Sequence, residues 1–215
     1  KVNRENKRIT IGVPVLNRKT RNDKSTVGMY ISTTPLTIDI SAVDSVAVLS
    51  ERITDAHSQL FRHQRYPYSK ILTEVRRKHQ FEGNLYDVIV SFQNAKTEED
   101  ITTQWFSNGY SEIPFSLHID NRDSADSYTL NVDYQTEVFH HKEEISMLVD
   151  RLLLIINQVI DNPQVTVSEI NIIPEDEYQK VIFDFNDTAV EYPKDKCIHE
   201  LFEEQARKTP DKIAL

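Results

Sequence analysis

Two adjacent histidines, His140-His141, are the side chains of this sequence best suited to moving a proton. A histidine titrates near neutrality and serves as general base or acid when a substrate lies within hydrogen-bond reach. The pair is followed by Lys142, Glu143 and Glu144 and stands just before the most apolar helical stretch, so it reads as a helix start or surface feature. His57 and His63 do not share the i, i+4 face that helical metal ligands need. His63 and Tyr66 stand beside Pro67, where they read as residues that cap and staple a turn. Asn17 and Arg18 end an apolar run, and an arginine there suits a bidentate contact with a carboxylate. The plainer reading is a structural salt bridge. Ser32 and Thr33 offer hydroxyls to a ligand, or are plain strand residues with solvated hydroxyls. Cys197 has no His or Asp partner at motif spacing, which argues against a nucleophile. The run Glu98-Glu99-Asp100 could attract a cation, but such runs are more often solvated loops.

The elements that hold these residues follow from periodicity. Ile9 to Leu16 fits a strand buried on both faces, and Gly28 to Ile38 a second strand, with a polar loop from Lys19 to Ser25 between them. From Ser41, taken as a cap, apolar residues recur with helical spacing to Leu60. Pro67 breaks that helix and suits the first turn of the next, which carries Ile71, Leu72 and Val75. Tyr86 to Phe92, Ile113 to Ile119 and Tyr128 to Tyr134 alternate as strands, with a hairpin loop from Asp120 to Ser127. The aromatic stripe Tyr128 and Tyr134 is read as core. Ala95 to Asn108 looks like an excursion from the core. A helix from Ile145 to Ile160 ends before Pro163. The expected class is α/β, with a mixed β-sheet packed with helices. A boundary is expected near Pro174, then a polar linker, then a last amphipathic helix stopped by Thr209-Pro210.

Composition narrows the function. Twenty-five basic residues stand against 34 acidic ones, which argues against nucleic acid as a partner. One cysteine excludes an internal disulfide and a cysteine-rich zinc site, and fits a cytoplasmic setting. Four glycines leave no phosphate-cradling loop or dinucleotide fingerprint. No apolar run approaches the ~20 residues a membrane span needs, so no membrane partner is expected. No apolar segment follows the charged opening Lys1 to Arg8, so no signal peptide is read.

Four segments carry a family resemblance. Ile11-Gly12-Val13-Pro14-Val15-Leu16-Asn17-Arg18 with Gly28-Met29-Tyr30-Ile31-Ser32-Thr33-Thr34-Pro35-Leu36 resembles a core motif of the condensation domains of nonribosomal peptide synthetases. His63-Gln64-Arg65-Tyr66-Pro67 resembles the family's His-Gln-acid-Tyr-Pro motif, and Gly83 to Asn94 is similar to a later strand motif. Phe185-Asn186-Asp187-Thr188, then Ile198 to Ala206 and Thr209 to Ala214, resembles the junction into an adenylation domain. The order matches throughout. Departures are Ser32 for an Asn, Thr37 for a charged residue and Arg65 for the acid.

The resemblance implies a chloramphenicol-acetyltransferase-like C-terminal lobe at 1–173, a condensation–adenylation linker at 174–197 and an adenylation stub at 198–215. It implies that the chain starts in mid-domain and that the Ala95 to Tyr110 excursion is a latch. The whole domain would form an amide bond between carrier-bound donor acyl or peptidyl and acceptor aminoacyl thioesters. Its partners would be the N-terminal lobe, upstream and downstream carrier proteins and the adenylation domain. Phosphopantetheine would ride on the carriers, with no cofactor or metal in this chain. Asn17, Arg18, Ser32 and Thr33 would line the tunnel or lobe interface, and His63, Tyr66 and Pro67 would be structural. The family's catalytic His-His-x-x-x-Asp-Gly is absent, since no Asp-Gly follows His140-His141. The chain is then not expected to act alone. The alternative is a non-catalytic platform that orients the adenylation domain and docks carriers.

Overall fold

The computed structural model describes residues 8–94, 106, 108–122, 127–191 and 193–213. Five strands form one sheet in the order β2-β1-β3-β4-β5. They are β1 (Arg8–Val15), β2 (Ser32–Asp39), β3 (Val88–Gln93), β4 (Phe115–Asp120) and β5 (Thr129–Tyr134). β1 pairs with β2 and β4 with β5 antiparallel, while β1–β3 and β3–β4 run parallel. The sheet is therefore mixed, as the interleaved strands and helices imply.

Alternation decides which residues enter the core. On β1 and β2, Ile11 opposes Leu36 and Ile9 opposes Ile38. Leu36 and Ile38 are buried, and α2 (Val46–His63) and α3 (Tyr68–His79) pack against β2. On the other half, Phe115 and Leu117 cluster with Ile145 of α4 (Lys142–Asp161), with Val149 and Leu152 packed around them. Each such apolar side chain contributes roughly 1.5–3 kcal/mol when fully buried. Pro35 sits on the edge strand β2, where a missing N–H is tolerated.

Three local expectations are corrected. The helix expected from Ser41 begins at Val46, with Ser45 Oγ accepting from the Val48 N–H at 3.3 Å. Residues 41–44 instead form a turn in which the Ser41 N–H donates to Asp44 Oδ2 at 2.8 Å. The first amides of α2 are satisfied from afar: Val46 donates to the Val165 carbonyl and Ala47 to that of Pro163, both at 3.0 Å. The polar stretch Lys19 to Ser25 is not all loop. It contains a short helix, α1 (Arg21–Ser25), closed by a capping box between Thr20 and Asp23. Pro67 is the N-cap of α3, one position ahead of its first turn.

The chain divides into two compact units, Lys1–Ile172 and Ile173–Leu215. The second contains α5 (Glu175–Ile182), a single 3-10 turn at Asp184–Asn186 and α6 (Ile198–Lys208). Cys197 is exposed at the start of α6, where its backbone N–H donates to Glu200 Oε2 at 2.7 Å. The expected hairpin loop lies partly outside the described residues, and the acidic run Glu98-Glu99-Asp100 and most of the latch segment lie wholly outside them.

Candidate functional site

The two N-terminal motifs and the His63–Pro67 motif meet at one end of β1 and β2. Asn17 follows β1 with φ of 54°, a left-handed conformation that Asn tolerates better than most residues. That turn lets its Nδ2 donate to the Tyr30 carbonyl at 2.9 Å and to Ser32 Oγ at 2.8 Å. Its backbone N–H donates to Gln64 Oε1 at 3.2 Å, which ties the strand end to the turn after α2. Arg65 reaches Asp23 Oδ2 at 2.8 Å from the same turn. Backbone hydrogen bonding from Thr20, ahead of the other contacts, holds the Asp23 carboxyl below its ordinary range.

Arg18 spends its fork on the loop. Its guanidinium donates to the carbonyls of Asp23, Thr26 (2.6 Å) and Gly28 (2.9 Å) and lies 4.2 Å from the Tyr30 ring centre. These partners are carbonyls of the chain's own loop. The result is a pinned loop whose tip presents Val27 and Met29 almost fully to solvent.

Thr33 shares a side-chain hydrogen bond with Tyr86, and burial pushes the Tyr86 hydroxyl up to about 12. Tyr86 lies over Gly12, so the first motif and the Gly83–Asn94 motif touch directly. His63 ends α2, and its carbonyl accepts from the Tyr66 N–H at 2.9 Å. The Tyr66 hydroxyl donates to Glu74 Oε1 at 2.7 Å, and that bond raises its pKa. The structure thus brings Asn17 and Ser32 together and leaves His63 and Tyr66 at the turn between helices. His141 is the N-cap of α4 and His140 is exposed before it. Among the described residues no three His, Cys, Asp or Glu side chains gather as a metal would require.

A second polar group was not singled out from sequence. Ser91 of β3 lies opposite His118 of β4, and Ser91 Oγ is 2.7 Å from His118 Nδ1. His118 Nε2 is 3.5 Å from Asp133 Oδ2 on β5. An Nε2–H tautomer turned to the carboxylate leaves Nδ1 to accept from the Ser91 hydroxyl. Burial lowers the His118 pKa, and Asp133 opposes that shift. Nearby, Asn121 is buried, and its Oδ1 has no partner among the described residues. These residues occupy the polar positions of alternating strands, the signal that could have found them.

A five-stranded mixed sheet with helices on it, with the N-terminal motifs and the His63–Pro67 motif meeting at one strand end, defines an α/β architecture. The sequence model of the condensation domain matches residues 2–182, and the chain belongs to that family. Gramicidin S synthase 2 of Brevibacillus brevis is 29% identical over 213 residues, covering 96% of this chain and 5% of that protein. Surfactin synthase subunit 1 of Bacillus subtilis (strain 168) is 29% identical over 214 residues, covering 96% of this chain and 6% of that protein. The chain therefore spans about a twentieth of the curated relatives it matches. Among solved structures, a four-domain nonribosomal peptide synthetase bound to AMP and glycine superposes with TM-score 0.76 at 14% identity, covering 96% of this chain and 17% of that one. The first condensation domain of the CDA synthetase gives 0.59 at 15% identity, covering 77% of this chain and 37% of that one. These likenesses show the fold, which is α/β and chloramphenicol-acetyltransferase-like. No helix among the described residues is long and apolar enough to cross a membrane.

Proposed function

We propose that this chain is the C-terminal lobe of a condensation domain, at 1–173, with a linker at 174–197 and the first helix of an adenylation domain at 198–215. The complete domain joins a donor acyl or peptidyl thioester to an acceptor aminoacyl thioester and releases the donor carrier's phosphopantetheine thiol. The family match over residues 2–182 carries this reading. The tail assignment is supported by coverage: the four-domain synthetase overlaps 96% of the chain, whereas the condensation domain of the CDA synthetase overlaps 77%.

Holding both carrier-bound thioesters together makes an intermolecular attack effectively unimolecular, and this lobe supplies part of that holding surface. The proton acceptor belongs to the N-terminal lobe, so this lobe alone is inert. Carrier proteins and the adjoining adenylation domain are the working partners, in the cytoplasm.

The test is amide formation by the full-length protein with carrier-bound thioesters. His140→Ala and His141→Ala should each leave turnover near wild type. A loss above about a hundredfold, the scale for an acid–base residue, overturns the assignment. If the unmodified full-length protein forms no amide yet binds carriers, the platform reading replaces the catalytic one.

A further inference from the structure

The loop between β1 and β2 holds two apolar side chains out in water. Val27 is 100% exposed and Met29 is 96% exposed. One exposed apolar side chain is ordinary, but these two stand together on a braced loop. The Arg18 guanidinium donates to the carbonyls of Asp23, Thr26 and Gly28 and lies 4.2 Å from the Tyr30 ring centre. The Thr20–Asp23 capping box closes α1 beneath them. A loop already held in one shape has little conformational freedom left to lose on contact.

Charge says what fits there. The whole chain has 34 acidic residues against 25 basic ones. Residues 18–26 reverse that balance, with Arg18, Lys19, Arg21 and Lys24 against Asp23 alone. Asp23 is itself paired with Arg65 at 2.8 Å. Arg21 and Lys24 are exposed and make no ion pair among the described residues. An acidic partner is repelled by the chain's net charge and drawn to this one loop, which fixes where it lands. An apolar centre with a charged rim is the anatomy of a small protein interface. Two side chains bury too little surface to hold separate proteins together, so the partner that fits is one that a tether keeps near.

We propose that this loop docks the carrier protein downstream of the adenylation domain. Val27 and Met29 enter an apolar spot on the carrier, and Arg21 and Lys24 pair with carboxylates around it. The inference rests on the condensation-domain reading, which supplies a tethered carrier that must arrive, react and leave.

Photocrosslinking of the full-length protein tests the occupant. A benzophenone amino acid in place of Val27 keeps the tip apolar, and mass spectrometry maps what it captures on irradiation. Crosslinks should fall on the downstream carrier and weaken as salt rises from about 0.05 M to about 0.5 M, because screening removes the attraction of the rim. Crosslinks confined to the N-terminal lobe, the upstream carrier or a second copy overturn the proposal, as does no crosslink. Met29→Asp and Lys24→Glu give a second measurement. Each should slow amide formation from the carrier-borne acceptor at least about fivefold more than from the same aminoacyl group offered as a small soluble thioester. Equal slowing of both reactions in variants with unchanged melting temperature also overturns it. If the unmodified protein forms no amide from either acceptor, the condensation reading fails, and the crosslink map still decides the docking site.

Discussion

Replacing Gly12 by alanine tests how the motif segments lock together. A Cβ on Gly12 would lie 2.6 Å from Tyr86 Cε2, 2.8 Å from Cδ2 and 2.9 Å from Ile89 Cγ1. These separations are well inside contact distance, and Tyr86 is 6% exposed, so its ring has little room to retreat. Overpacking of this kind costs about 1–3 kcal/mol. Alanine returns about 0.5–1 kcal/mol through lower unfolded-state entropy and better strand propensity. The central expectation is a net loss of about 1 kcal/mol, or a Tm lowered by roughly 2–4 °C for a unit of this size. Urea and thermal melts measure it. Combining Gly12→Ala with Tyr86→Leu should cost less than the two changes added, by at least about 0.5 kcal/mol, because the leucine vacates the contested space. If Gly12→Ala leaves the melting point unchanged or raises it, the close approach of Tyr86 to β1 is not what requires glycine there.

Arg18→Lys keeps the charge but not the fork, so it cannot serve the three carbonyls of the loop. It should cost about 1–2 kcal/mol and speed tryptic cleavage at Lys24. Unchanged cleavage with lost turnover would instead make Arg18 a substrate contact. His118 should give stability a pH dependence. Its folded pKa is below its ordinary value of 6.5, so the unfolded chain binds more protons as pH falls through that value. Stability is then fully present above 6.5 and declines as pH falls below it, and His118→Phe should flatten this part of the profile. Urea midpoints measured across that range decide it, and a slope that persists in the variant places its origin elsewhere.

Most of the sheet was legible because its strands alternate, whereas β1 was read as a continuous apolar run. Val88 and Val90 alternate with Ile89 and Ser91, and Phe115, Leu117 and Ile119 with Ser116 and His118, so strand existence and class followed from a two-residue repeat. The start of α2 was misplaced because Ser41 and Ser45 are both competent caps. The choice between them rests on amide partners at Pro163 and Val165, far along the chain. α1 escaped notice because it has no apolar face, although Thr20 and Asp23 carry its capping signature. The carbonyl partners of Arg18 were not legible in the sequence. The left-handed turn at Asn17 leads the chain into the loop that Arg18 pins, and no hydrophobic pattern records that turn. Ser91 and His118 are 27 residues apart, so only strand register makes them neighbours.

The sheet is not uniformly knitted. β1 meets β3 through one registered pair, Gly12 with Ile89, whereas β1–β2 and β4–β5 are joined along their whole lengths. Within the sheet, one half, with β1, β2, α2 and α3, and the other, with β3, β4, β5 and α4, therefore share a narrow seam with Tyr86 laid across it, and outside the sheet the bonds from Val46 and Ala47 of α2 to Val165 and Pro163 also join them. Such a seam is where a cooperative protein divides into foldons that can part without either one melting. The halves bring together residues distant in sequence, so their docking follows costly loop closure and belongs late in folding. Gly12 and Tyr86 then act on the joining of the two halves, together with the bonds from α2 to Pro163 and Val165, more than on the interior of either half.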